Sequence, residues 1–128
     1  MSEVTTEWVA KAESDFATAR ILLEHGEENI VDMVCFHSQQ CIEKYLKAFL
    51  NEHAINFPRD HSLPPLVKLC RTIDDQFEEL WDDTASMEGY AVAIRYPGAV
   101  ATRSMAENAL AAAERVRAFI RNKLALPD

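Results

Sequence analysis

Glycine occurs only three times in 128 residues, and no run of β-branched residues alternates with polar ones. The pattern of a half-buried strand is therefore missing, and the elements are expected to be helices. No apolar stretch approaches about 18 residues, and the amino-terminal stretch is acidic, without the hydrophobic region of a signal peptide; a cytoplasmic protein with no membrane partner is expected. The three cysteines, Cys35, Cys41 and Cys70, include no CxxC pair. Cys35 and Cys41 project about 120° apart on one predicted helix and cannot bridge each other, so all three are expected as reduced core thiols. There is no glycine-rich phosphate loop ending in Gly-Lys-Ser or Gly-Lys-Thr, no GxGxxG, no GxSxG and no HExxH. Nothing in the sequence supports P-loop, dinucleotide, serine-hydrolase or zinc chemistry, and no cofactor or metal is expected.

Charge is unevenly spread. The net charge is −8 with a pI near 4.9, which disfavours sequence-independent attachment to a phosphate backbone and gives no support to sequence-specific DNA binding. No base lies between Arg71 and Arg95, a stretch holding Asp74, Asp75, Glu78, Glu79, Asp82, Asp83 and Glu88. That tract suits an outward helix face better than a hard-cation site. From Arg103 to Lys123 the balance turns basic.

At this length one domain spanning residues 1–128 is expected, all-α, with about five helices. Helix 1 should run from about Thr6 to Glu24, stopped by Gly26, with Trp8, Ala12, Phe16, Ala19 and Leu23 on one face. Helix 2 should run from Val31 to Glu52. Ser62 is the expected cap of a third helix, a segment from Phe77 to Ile94 interrupted near Gly89 makes the fourth, and Ser104 with Glu107 forms a capping box for the last, ending near Leu124. The last helix is expected to bury Met105, Ala109, Ala112, Ala113, Val116, Phe119 and Ile120.

Helix 2 is the most informative segment. Val34, Ser38, Cys41, Ile42, Tyr45, Leu46, Ala48 and Phe49 fill about half its circumference, which predicts burial from more than one side. His37, Gln40, Lys44, Lys47 and Asn51 recur at helical spacing as a ladder of polar groups. An imidazole, an amide and an ammonium in one row suit a phosphate or a base edge; a solvated face with Glu43 and Lys47 as an ordinary i,i+4 pair explains the same spacing. Asp15 falls on the margin of the apolar face of helix 1, between Trp8 and Leu22, where a carboxylate needs a partner. Lys44 or Arg95 is the expected one, and a polar seam between helices 1 and 2 follows. Arg95-Tyr96-Pro97 joins a guanidinium fork to a stacking ring on a segment stiffened by proline, although a purely structural turn uses the same residues. His61 precedes Ser62 at a helix start, where free amides attract anions, or else packs against its loop.

These residues together resemble the HEPN domain family over nearly the whole chain. The resemblance rests on Trp8, Ala12, Asp15-Phe16 and Ala19; on Phe36-His37-Ser38-Gln39-Gln40 through Glu43-Lys44 and Leu46-Lys47-Ala48; on Pro58 with His61-Ser62-Leu63; and on Arg95-Tyr96-Pro97. It implies an antiparallel up-and-down helical bundle, dimerisation, nucleotide or RNA binding, and pairing with a separate minimal nucleotidyltransferase in a toxin-antitoxin-like arrangement. Some members are metal-independent ribonucleases that use an arginine followed, after four to six intervening residues, by a histidine near the start of the last helix. Here Val100, Ala101 and Thr102 follow Arg95 at those positions and Asn108, Ala109 and Leu110 follow Arg103; the one match is Arg20 to His25, at the end of helix 1. The resemblance thus implies a non-catalytic nucleotide- or RNA-binding module and homodimer. It would act through His37, Gln40, Lys44, Arg95 and Tyr96, supported by Asp15 and His61. A ribonuclease with a degenerate or displaced Arg/His site is the alternative.

Overall fold

A computed structural model of the chain describes residues 1–98 and 100–128, and of residues 89 and 91–95 the backbone alone. Five α-helices follow one another: α1 (Glu3–His25), α2 (Val31–Glu52), α3 (Leu63–Ile73), α4 (Trp81–Arg95) and α5 (Arg103–Lys123). Short 3-10 turns, Glu28–Ile30 and Asp75–Leu80, lead into α2 and α4. No strand occurs among the described residues. No helix among them is long and apolar enough to cross a membrane.

Helix α2 is the axis of the bundle and packs against α1, α3, α4 and α5. Each residue from Tyr45 to Leu50 is buried, so this part of α2 is covered on every side, as a helix apolar around most of its circumference must be. Its eight predicted core residues are all inside. Helix α1 lies along it with Val9, Ala12, Phe16 and Ala19. Helix α5 presents Ala106, Ala109, Ala112 and Ala113, whose small side chains let the two backbones approach closely. Phe49, Phe77 and Phe119 join α2, the second 3-10 turn and α5 through ring contacts of 4.5 and 5.0 Å.

Helix ends explain the departures from the expected boundaries. Ser2 caps α1 by accepting from the Thr5 amide, so the helix begins three residues before Thr6. Gly26 ends it at φ 70°, a left-handed conformation that glycine adopts without a Cβ penalty. The cap of α5 is Thr102, whose hydroxyl accepts from the Met105 amide; Ser104 lies inside the helix, and the expected Ser104–Glu107 box does not form. Glu107 pairs instead with Arg103. Ala106 shares the face of Ala109 and Ala113 and occupies the core, while Met105 and Phe119 are only partly covered. The fourth helix runs through Gly89 without interruption, and Phe77 to Leu80 belong to the 3-10 turn before it.

The three cysteines are buried and unpaired. Burial pushes the Cys35 thiol up to about 11 and the Cys70 thiol up to about 12, which keeps both protonated and unreactive near neutrality.

Candidate functional site

The predicted seam between α1 and α2 forms around Asp15. Its carboxylate is buried on the α1 face, and each oxygen takes one donor from α2: His37 Nδ1 at 2.8 Å and Lys44 Nζ at 2.6 Å. His37 and Lys44 are seven residues apart, two turns, and therefore share a face. Asp15, one oxygen to each, ties those turns to α1. The arrangement satisfies a carboxylate that would otherwise be costly at this depth. With Nδ1 engaged, Nε2 is the ring atom left for another partner, and the ammonium retains donors beyond the one spent on Asp15. Both side chains remain about one fifth exposed, so the seam is reachable from outside.

Beside it lies a groove of about 360 Å³ lined by Val4, Glu7, Trp8, Lys11 and Lys44. Lys44 belongs to both, which makes the groove and the Asp15 seam one continuous surface. Among the described residues no cluster of three histidine, cysteine or acidic side chains suited to a metal is present.

The remaining predicted residues fall in three places. Gln40 does not reach Asp15; it donates to the side-chain oxygen of Gln39 at 3.0 Å. His61 sits on a different carboxylate, with Nδ1 3.1 and 3.2 Å from the two oxygens of Glu43, while its backbone carbonyl accepts from Gln39. Tyr96 is 63% exposed beyond the end of α4. The side chain of Arg95 lies outside the described residues.

The single ladder expected on α2 thus divides into two seams. Measured from His37, Lys44 lies about 20° round the helix and Lys47 about 80°, which leaves Lys47 only about 40° from Glu43. Lys47 accordingly turns away from Lys44 and bonds Glu43 at 2.9 Å. Both are buried, so this is no ordinary surface pair. Lys47 Nζ stands 5.6 Å from the Trp8 ring centre and 5.5 Å from that of Phe57, a contact that compensates part of its lost hydration. Gln39, Glu43, Trp8 and Lys11 were not singled out as site residues from the sequence. The i,i+4,i+8 spacing of Gln39, Glu43 and Lys47 was visible, but not the loop that covers it.

A third network ties α1 to α5. Arg117 grips Glu13 with Nε and Nη2, both at 2.8 Å, and Arg121 adds a bond at 3.0 Å while also donating to the Tyr45 hydroxyl. The Arg117 bonds hold the Glu13 carboxyl below its ordinary value. Burial pushes the Tyr45 hydroxyl up to about 12, so Tyr45 serves as a neutral acceptor here.

Asp32, at the start of α2, accepts from the Ala101 amide at 2.9 Å, and Arg103 Nη2 reaches the Leu23 carbonyl. These contacts fix the segment entering α5 against the ends of α1 and α2. The expected ribonuclease positions after Arg95 are therefore partly accounted for: Ala101 is buried and Thr102 is a helix cap.

Comparison with known proteins agrees with this architecture. No curated protein sequence matches the chain. Its structure is similar to the crystal structure of an archaeal HEPN homologue, with a TM-score of 0.73 at 21% identity over 96% of this chain and 98% of the other; at that identity the likeness concerns the fold. The HEPN domain profile matches residues 5–123, from the first turn of α1 to the last residue of α5, and the chain belongs to the HEPN domain family.

Proposed function

We propose that this protein is a non-catalytic helical module that binds a nucleotide or a short RNA segment along the α1–α2 seam. The observation that carries the proposal is the convergence of His37 and Lys44 on Asp15 at the edge of a solvent-accessible groove. A fixed ammonium is suited to a phosphate oxygen and the remaining imidazole nitrogen to a hydroxyl or exocyclic amine donor, and their partial burial makes such contacts stronger than on an open surface. Gln40, Arg95 and Tyr96 are the further binding residues in this proposal, with His61 in support through Gln39 and Glu43. The net charge of −8 opposes a long polyanion and favours a short ligand held locally.

Self-association as a homodimer, pairing with a minimal nucleotidyltransferase in a toxin-antitoxin-like system, a cytoplasmic setting and a single domain over residues 1–128 complete the proposal. They rest on the family and on the exposed apolar side chains of Val4, Ile21, Met33, Tyr96 and Val100.

One observation favours a second reading, a metal-independent ribonuclease with a displaced site. The Asp15–His37 pair is arranged as an acid–base couple, with a carboxylate orienting an imidazole whose other nitrogen has no partner among the described residues. Fluorescence anisotropy with labelled single-stranded RNA, run in chelator and followed by gel analysis of the same samples, separates the two. Retained RNA that stays intact, with binding weakened by Lys44→Ala, supports the module. Cleavage abolished by His37→Ala establishes the ribonuclease, and binding untouched by both Lys44→Ala and Arg95→Ala moves the site elsewhere.

A further inference from the structure

We infer that Trp8 is a stacking platform and that the α1–α2 groove takes one unstacked nucleobase, with its phosphate between Lys11 and Lys44. This rests on the ligand class proposed above and names the part of the ligand that the Asp15 seam does not explain. Trp8 is the aromatic ring lining the groove, in a space of about 360 Å³, the scale of a small-ligand pocket. The ring is already fixed. Phe57 meets it edge-on at 6.1 Å and 72°, and Lys47, anchored on Glu43, stands over it. A ring held this way loses little freedom when a base stacks on it.

The polar groups of the groove match the rest of a nucleotide. Lys44 is oriented by Asp15, and Lys11 lies one turn from Trp8 on the same face of α1. Glu7 supplies an acceptor suited to a ribose hydroxyl or an exocyclic amine. The carboxylates of Glu7 and Asp15 offset the two ammoniums, which leaves room for one phosphate and disfavours a di- or triphosphate. The shared chemistry is a base bearing a single phosphate group, whether free or within single-stranded RNA.

The chain has two tryptophans, so Trp81→Phe leaves Trp8 as the sole indole reporter. Adenosine 5′-monophosphate, a five-residue oligoadenylate and ribose 5-phosphate are titrated into that variant, followed by emission and by calorimetry. Saturable quenching by a base-bearing probe, with none by ribose 5-phosphate, is expected. Tighter binding of the oligoadenylate identifies RNA as the source, and equal or weaker binding identifies the free nucleotide. Trp8→Leu should weaken the base-bearing probe by about 5- to 150-fold, the range of single base–aromatic stacks. Trp8→Phe, which retains a ring and the contact with Phe57, should recover part of that loss with unchanged circular dichroism. If a base-bearing probe binds with Trp8 emission unquenched and affinity undiminished in Trp8→Leu and Trp8→Phe, the platform is overturned while the Lys44 site stands. If neither base-bearing probe binds the parent chain, both are overturned.

Discussion

Glu13 and Asp15 stand two residues apart on α1 and face different helices. Glu13 meets α5, where two guanidiniums grip it, and Arg121 spends further donors on Tyr45 and the Pro127 carbonyl. Asp15 meets α2, where one ammonium and one imidazole each give it a single bond. Planar forks that end on carboxylate, phenol and carbonyl groups form a structural tie with its donors committed inside the protein. An ammonium with donors to spare and an imidazole with a second nitrogen, beside a groove, have something left for a ligand. The same chemical group, a carboxylate on the same helix, is a fastener on one side and part of a candidate site on the other.

A third carboxylate marks the structural extreme and predicts the largest effect. Glu43 and Lys47 are both buried, so Lys47→Ala leaves the Glu43 carboxylate with only the largely exposed His61 ring as a partner, and chemical denaturation should show a loss of up to about 3–5 kcal/mol. Replacing both partners, Glu43→Leu with Lys47→Met, should recover most of it, because no buried charge is then left unpaired. A small loss in Lys47→Ala would mean that the cluster opens to water more than its burial indicates.

Glu13→Gln comes next. The pair is about one third exposed on the Glu13 side, so the expected cost near neutrality is about 1–2 kcal/mol after allowance for solvent screening. The Arg117 bonds hold the folded carboxyl below its ordinary 4.5. Its contribution is therefore complete above that value and is lost as pH falls through the lower folded value. Urea titrations of parent and variant should differ most near pH 7, and the gap should narrow as pH falls below the ordinary 4.5; a constant gap would show that shape, not charge, carries the tie.

Lys44→Ala should change stability least, by less than about 1 kcal/mol, since Asp15 keeps its bond from His37 and the site is partly solvated. Thermal melts of this variant within a few degrees of the parent are expected. A collapse comparable to Lys47→Ala would make Asp15 another fastener and erase the contrast.

Much of this was legible in the sequence. Helical spacing on α2 separated the eight core positions from the polar ones, and Asp15 on the margin of an apolar face announced its need for a partner on the neighbouring helix. The family resemblance, carried by ordered residues in four segments, located the bundle topology. The split of the α2 ladder escaped notice because an i,i+3,i+7 series drifts round the helix, and which neighbour claims Lys47 depends on the loop carrying Phe57 and His61. The α5 cap was misplaced because Ser104–Glu107 satisfies the capping-box spacing as a string, while the backbone turns two residues earlier, where Asp32 holds the Ala101 amide. The Glu13 forks come from residues more than a hundred positions apart, beyond the reach of any local pattern.

Whether the two seams of α1 do different work is decided by one paired measurement: calorimetric titration of adenosine 5′-monophosphate, alongside urea unfolding, for the parent, Lys44→Ala and Arg117→Ala. Lys44→Ala should lower affinity by about 1–3 kcal/mol with stability nearly unchanged, whereas Arg117→Ala should lower stability and leave affinity intact. Equal affinity in the parent and Lys44→Ala, or a loss of affinity confined to Arg117→Ala, would contradict that division of work.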